Sequence, residues 1–280
     1  MSAIERPRGP HAEAFTRDGF VIVRGLLDPK LVDDTVRALD RLLAWKLGQE
    51  PMAGDHHNIT IHARILELAK RDRRALGVVY DAARKVAPFW RLIGDASLLA
   101  IAEELLGTND LGLAFRGAGI RFDLPSEDRW RSEWHQEYHS QISSPRGVVA
   151  WFALTEVDAS MGPVELMCGS HREGILPVRC TDPMNQRGDY TQTFELDNLE
   201  ALHGRYETCS FSTQPGDVVF VDFLLLHRSG FNRSEAARSR LTCQVRYFDM
   251  ADTTAVQHGW IGGWQDGGNF AELHPELVLT

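Results

Sequence analysis

The sequence has few cysteines and no long apolar run. Its four cysteines form no Cys-x-x-Cys pair, which excludes a zinc knuckle and a thioredoxin-like redox site. We expect them to be reduced, mostly buried thiols. The apolar runs are far shorter than a membrane-spanning helix, and the first ten residues, MSAIERPRGP, lack the apolar stretch of a secretory signal. These absences predict a soluble, cytoplasmic protein with no membrane partner.

Basic residues are also few relative to acidic ones. There are 30 Lys and Arg against 39 Asp and Glu, giving a formal net charge of -9. Because nucleic-acid binding usually requires a basic face that displaces counterions, nucleic acid is not an expected partner. A small anionic substrate is still possible, since a pocket can be locally basic inside an acidic protein.

The chain has a helix-rich first part, to about residue 110, and a strand-rich second part, about 111–250. No repeat or low-complexity linker separates them, so we expect one domain over residues 1–280. The first part begins with a β-branched strand at 20–23, followed by a helix with Asp28 as N-cap and Pro29 in its first turn. Apolar residues in this helix recur at three- and four-residue steps and predict one buried face, made of Leu31, Val32, Val36, Leu39 and Leu43. Further helices are predicted at 61–71, 73–93 and 97–106.

Short runs rich in Val, Phe, Ile and Trp follow, separated by turn residues. They predict antiparallel strands at 111–122, 134–139, 147–155, 163–167, 217–227 and 240–249. Such strands with helices on one side favour an α+β, mainly β fold, the double-stranded β-helix or jelly roll, whose mouth can hold a metal and a small molecule. The stretch 179–205 has little periodicity and is typical of a functional loop.

A candidate metal site lies in this second part. On a strand, His135 and Glu137 would project to the same side. His227, at the end of an apolar strand, could supply a third ligand. Two histidines and one carboxylate form a facial triad that leaves positions open on iron(II) for a co-substrate and O2. Each residue alone is weak evidence, and His139, which would share the strand face of Glu137, is an alternative to His135.

Four ordered groups of residues resemble the phytanoyl-CoA dioxygenase family of iron(II)- and 2-oxoglutarate-dependent oxygenases. They are the opening FTRDGFVIVRGLL at 15–27, Trp-His-Gln-Glu at 134–137, Trp-Phe-Ala-Leu at 151–154 with Gly-Pro-Val at 162–164 and Cys-Gly-Ser-His at 168–171, and a closing group at 216–220 and 227–230 with Asn232 and Arg238. Two positions depart from the family pattern: Glu137 replaces an aspartate, and Cys168 replaces a proline. Glutamate remains a competent hard ligand.

The resemblance implies that 2-oxoglutarate is the co-substrate and that Arg238 holds its distal carboxylate. Arg238 follows His227 by eleven residues and begins the next strand, so the turn can fold it back toward the metal. Arg240 and Arg246 are alternatives by position, although solvated surface charge is the more common role of such residues. Ser229 could donate to the same carboxylate, and Trp151 could line the pocket.

The implied function is a hydroxylase that oxidises an unactivated C–H bond of a small-molecule substrate and releases succinate and CO2. Halogenation is disfavoured, because related halogenases vacate the carboxylate position that Glu137 fills. Residues 179–205, the segment around Arg131 and the tail 257–270 are candidate walls of the substrate pocket. Two functions from other classes are a zinc-dependent hydrolase or lyase and a non-catalytic jelly-roll binding protein. The oligomeric state is open.

Overall fold

In the computed structural model the first part of the chain is mostly helical and the second part consists mostly of strands. The structure describes residues 9–51, 60–114, 117–180, 194–235, 238–262 and 270–279. The helices of this part are α1 Ala12–Asp18, α2 Pro29–Leu47, α3 Thr60–Arg71, α4 Arg73–Ala83, α5 Ala87–Ile93, α6 Ala96–Leu106, α7 Tyr138–Gln141, α8 Leu199–Arg205, α9 Thr253–Gln257 and α10 Phe270–Leu273. The strands are β1 Phe20–Val23, β2 Leu111–Leu113, β3 Gly119–Asp123, β4 Gly147–Ala153, β5 Val164–Met167, β6 Val178–Cys180, β7 Phe194–Leu196, β8 Thr208–Ser210, β9 Val218–Asp222, β10 His227–Ser229, β11 Arg240–Asp249 and β12 Val278–Leu279.

The predicted start of α2 and its buried face are confirmed. The Asp28 carboxylate accepts a hydrogen bond of 2.8 Å from the Lys30 N–H, and Pro29 occupies the first turn, where its missing N–H has no intrahelical partner to lose. Gly48 ends the helix in the left-handed conformation. Of the predicted apolar face, Leu31 is partly buried and the other members, Val32, Val36, Leu39 and Leu43, are buried.

Two antiparallel sheets form the body of the second half. The larger has the strand order β1-β9-β4-β11-β2, with β3 also paired to β11. The smaller has the order β10-β5-β8. A third sheet, β12-β6-β7, includes a parallel pair between β12 and β6. The two antiparallel sheets pack through shared apolar side chains, which gives the predicted jelly roll with flanking helices.

The larger sheet has two different faces because strand side chains alternate in direction. On β4, Val148, Ala150 and Phe152 join the core formed with the helical layer. Val149, Trp151 and Ala153 point the other way, into an inner core shared with the smaller sheet. The outer face therefore fixes the helices, and the inner face lines the space where a site can form.

Some predicted elements are divided or replaced. The helix expected at 73–93 is two helices, because Pro88 lies in the first turn of α5 and cannot continue a helix from α4. The strands expected at 111–122 and 217–227 are each divided in two. The strand expected at 134–139 is wrong: His135 makes one isolated bridge, and α7 begins three residues later.

The stretch 179–205 contains β7, α8 and the end of β6, while residues 181–193 lie outside the described part. Residues 263–269 of the predicted tail wall also lie outside it. None of the helices described above has both the length and the apolar character needed to cross a membrane.

Candidate active site

His135, Glu137 and His227 lie together at one end of the inner core. Each offers one ligand atom, and these atoms all lie within 4.8 Å of one another. A pair of backbone hydrogen bonds of 3.1 Å joins His135 to His227, which begins β10, and holds the two imidazoles side by side. Glu137 stands immediately before α7. The structure thus brings together the three residues that the sequence singles out.

Backbone carbonyls fix the tautomer of both histidines. The Nδ1–H of His135 donates to the Glu133 carbonyl at 2.7 Å, and the Nδ1–H of His227 donates to the Leu225 carbonyl at 2.9 Å. Since a carbonyl can only accept, the proton of each neutral ring lies on Nδ1, and the Nε2 lone pair is the one left for a metal. Burial and the neighbouring His227 lower the pKa of His135 to about 3, so this ring is neutral at physiological pH.

Glu137 is buried and ionised. Burial alone would raise the pKa of its carboxyl, but the Arg246 guanidinium and the two histidines outweigh burial and hold the pKa well below its usual range. The Glu137 Oε2 lies 3.6 Å from the His227 Nε2. Two imidazole nitrogens and one carboxylate oxygen form a donor set that suits iron(II) and is also acceptable to zinc.

His139 lies outside this group. Its Nε2 bonds to the Leu176 carbonyl at 2.9 Å, and its ring packs edge-on against Phe270 with 4.6 Å between ring centroids. The expected strand face shared by Glu137 and His139 does not exist, because Glu137 has helical backbone angles and its carbonyl accepts from the N–H groups of Ser140 and Gln141.

Among the described residues, Arg238 makes no contact with the triad. Its guanidinium pairs with the carboxylates of Glu156 and Asp158, and its side chain is about a quarter exposed.

The sequence reading of Arg240 and Arg246 as solvated surface charge is wrong. Both are buried, at 3% and 5% exposure. Arg240 pairs with the partly buried Asp123, which Arg121 also contacts. Arg246 donates to both carboxylate oxygens of Glu137. A signal for this was present in β11, where Thr242, Gln244 and Arg246 alternate with apolar residues and so share its inner face.

Ser229 and Trp151 differ in burial. Ser229 is half-buried and ends β10, two residues after His227. Trp151 is buried on β4 opposite Gln244 of β11 and belongs to the inner core. A narrow cavity beside the triad is lined by His135, Gln136, His139, Ser140, Val178, Phe194 and Leu196. Three of these lining residues, Val178, Phe194 and Leu196, are apolar.

Comparison with known proteins identifies the family. The phytanoyl-CoA dioxygenase (PhyH) family model matches residues 15–240. The chain belongs to the phytanoyl-CoA dioxygenase family. Among its relatives in this family, the ectoine dioxygenase of Nocardia farcinica (strain IFM 10152) is 25% identical over 258 residues, which cover 87% of this chain and 78% of that protein.

Solved structures with a similar fold include two metal-containing crystal structures. EctD from S. alaskensis with bound Fe is 21% identical, with a TM-score of 0.56, and the match covers 90% of this chain and 80% of that one. The epimerase SnoN in complex with Fe3+, alpha ketoglutarate and nogalamycin RO is 20% identical, with a TM-score of 0.58 and coverage of 85% and 82%. At these identities the likeness shows that this phytanoyl-CoA dioxygenase family member shares their fold.

Proposed function

We propose that this chain is an iron(II)- and 2-oxoglutarate-dependent dioxygenase that hydroxylates an unactivated C–H bond of a small molecule and releases succinate and CO2. The observation that carries the proposal is the group His135, Glu137 and His227, whose ligand atoms lie within 4.8 Å of one another inside a phytanoyl-CoA dioxygenase family match. The relatives support it, since one is named an ectoine dioxygenase and another binds Fe3+ and alpha ketoglutarate.

In this proposal the two histidines and Glu137 hold the metal. Bound iron(II) and 2-oxoglutarate together supply the oxidising chemistry with O2. The chain's own task is to direct the Nε2 atoms at the metal, for which the carbonyls of Glu133 and Leu225 hold Nδ1 of each ring, and to keep water from the reacting atoms. The apolar Val178, Phe194 and Leu196 serve the second task at the cavity beside the triad.

Arg238 receives the distal carboxylate of 2-oxoglutarate in this proposal, and Ser229 and Trp151 line the same space. Its present partners are no obstacle, because Glu156 and Asp158 are 45% and 37% exposed and such ion pairs contribute about 0 to 1 kcal/mol. A carboxylate arriving from the interior would be desolvated and would gain more from a bidentate guanidinium. Exchange of partners therefore favours the co-substrate.

The test is an anaerobic titration of the protein with iron(II) and then 2-oxoglutarate, followed by the visible charge-transfer band of the chelate. We expect the band in the wild type, its loss in His135→Ala, and at least ten-fold weaker 2-oxoglutarate binding in Arg238→Ala. Arg233→Ala is the matched control, because Arg233 forms an exposed ion pair with Asp128. It should bind 2-oxoglutarate as the wild type does.

The alternative outcomes separate the functions. A wild type that binds zinc tightly and gives no band with iron(II) and 2-oxoglutarate would contradict the dioxygenase and favour a zinc hydrolase. A normal band in Arg238→Ala would leave the dioxygenase intact and remove Arg238 from the co-substrate site.

A further inference from the structure

Several hydrogen-bond donors hold the Glu137 carboxylate, and none of them belongs to the sequence motifs that supply the candidate metal ligands. Its Oε1 accepts from the Arg246 Nε–H at 3.0 Å and from the Gln141 side-chain amide at 3.3 Å. The Ser140 hydroxyl lies 3.3 Å from the same oxygen, but its shorter hydrogen bond, of 3.0 Å, is to the Glu137 backbone carbonyl. Its Oε2 accepts from the Arg246 Nη2–H at 3.2 Å and lies beside His227. The two oxygens are therefore not equivalent.

We propose that Arg246 is a positioning residue that clamps Glu137 so that Oε2 alone faces the metal site. This inference rests on the proposed function. A carboxylate oxygen has two lone pairs, and the Arg246 and Gln141 donors on Oε1 use both of them. Oε2, with one donor, keeps a free lone pair on the side of the histidines. The clamp thus presents Glu137 as a one-oxygen ligand and leaves neighbouring metal positions open for 2-oxoglutarate and O2.

Glutamate makes such a clamp more necessary than aspartate would. Its extra methylene adds a rotatable bond, and without a fixed partner the carboxylate would sample several positions. The planar guanidinium removes that freedom by donating two roughly parallel hydrogen bonds. Lysine could supply the charge of Arg246 but not this two-point geometry.

The rest of the chain holds Arg246 itself in place. Arg246 lies on the inner face of β11 opposite Val149 of β4, and its Nη1–H donates to the Gly117 carbonyl. Gly117 leaves little spare room, since a Cβ there would lie 3.0 Å from the Arg246 Cδ and 3.1 Å from the Gln141 Oε1. The guanidinium is thus fixed from the strand, from the Gly117 carbonyl and from Glu137.

The decisive experiment is anaerobic Co(II) titration of the purified protein, followed by the visible absorption of the bound ion, whose energy and intensity report the ligand geometry. We expect Arg246→Met and Arg246→Lys to bind Co(II) about 10- to 100-fold more weakly than the wild type, the range found when outer partners of metal ligands are removed. Their spectra should also differ from that of the wild type. Arg240→Met, which removes an equally buried arginine of β11, should keep both the affinity and the spectrum.

A double-mutant cycle tests whether Arg246 acts through Glu137. In Glu137→Asp the carboxylate retreats by one methylene and cannot meet both donors, so adding Arg246→Met should weaken Co(II) binding by less than about three-fold. Equal losses in both backgrounds, or wild-type affinity in Arg246→Lys, would overturn the clamp. Should Arg246→Met fail to fold, Gly117→Ala decides: weaker Co(II) binding supports the clamp and unchanged binding overturns it. A wild type that binds no Co(II) would instead contradict the proposed function.

Discussion

Two aspartates near the ends of β9 have opposite environments. Asp222, its last residue, accepts one hydrogen bond, from the Leu224 N–H at 2.7 Å, and burial raises its pKa to about 7. Asp217, just before β9, accepts from two backbone N–H groups and pairs with Arg24. Although burial opposes them, these donors hold the pKa of Asp217 below its usual range.

The raised pKa of Asp222 predicts a pH dependence of stability. The folded state binds the proton more tightly than the unfolded chain, so the stabilisation is complete below about pH 4 and is lost as the pH rises to about 7. We expect Asp222→Asn to abolish this loss, so that its free energy of unfolding exceeds that of the wild type by about 4 kcal/mol at pH 8 and by less than about 2 kcal/mol at pH 5.

Urea unfolding at the two pH values measures both variants. Asp217→Asn is the control with the opposite sign: it should be less stable than the wild type at pH 5 and pH 8, because the stabilisation from Asp217 is present above its unfolded pKa. If the Asp222→Asn protein were no more stable than the wild type at pH 8, this result would contradict the raised pKa of Asp222.

Residue types and spacing in the sequence predict the three triad residues better than they predict the side chains that surround the triad. His135, Glu137 and His227 belong to motifs in which the residue type itself suggests a ligand. For Arg246, the alternation along β11 indicates an inward direction but not which group it meets. That partner is 109 positions earlier in the chain, and only the fold brings the two together.

At the scale of elements, the position of β10 depends on a close backbone contact between the loop that follows it and the loop that precedes β5. Gly230 follows β10, and Gly162 precedes β5. A Cβ on Gly230 would lie 2.5 Å from the Pro163 carbonyl oxygen and 2.8 Å from the Gly162 carbonyl carbon. Because both obstacles are backbone atoms, a larger residue could fit only if the loops separated.

We therefore expect Gly230→Ala to lower the free energy of unfolding by about 2 kcal/mol or more, as overpacking does. Because β10 begins with His227, the substitution should also weaken iron(II) binding. Gly204→Ala is the matched control, since Gly204 lies within α8 and an added Cβ would meet no atom within 4 Å. That control should be neutral or up to about 1 kcal/mol more stable. Thermal melting compares the two, and equal melting temperatures would refute the steric argument.

Elements were predictable where one local pattern decided them. The strand at 240–249 alternates between polar and apolar residues from 240 to 247 and is confirmed with both its ends. The strand at 134–139 could not be distinguished from a bridge followed by a helical turn, because that turn depends on Glu137 meeting its partners in the fold. The prediction of one continuous strand at 217–227 was wrong for a similar reason. An apolar run continues through a turn when the turn itself is buried, as Phe223, Leu225 and Leu226 are.

At the scale of the whole molecule, the family, the jelly-roll fold and the dioxygenase class are confirmed, because ordered motifs from 15 to 240 carry them together. That the chain is one domain stays a prediction. The sequence marks the tail 257–270 as a candidate wall of the substrate pocket but predicts no element or packing partner for the end of the chain. There β12 pairs with β6, and Phe270 of α10 is 1% exposed. Its ring packs against Tyr138, His139 and Phe194, the last two of which line the cavity beside the triad.

This packing makes Phe270 a support for the cavity from a distant part of the chain. Truncating it to alanine removes a fully buried ring, so we expect Phe270→Ala to lower the free energy of unfolding by about 3 to 5 kcal/mol. Val256→Ala, at a 51% exposed position of α9, should change it by less than about 0.5 kcal/mol.

Amide hydrogen exchange then locates the effect. In Phe270→Ala, protection should fall in α7, β6, β7 and α10, whose residues contact the ring or pair with those that do, while β4, β9 and β11 keep the protection of the wild type. A uniform loss across both groups of elements would mean that the ring stabilises the whole jelly roll. Loss confined to the first group would mean that the end of the chain acts locally, and that the cavity beside the triad can be reshaped without disturbing the sheet that carries Arg246.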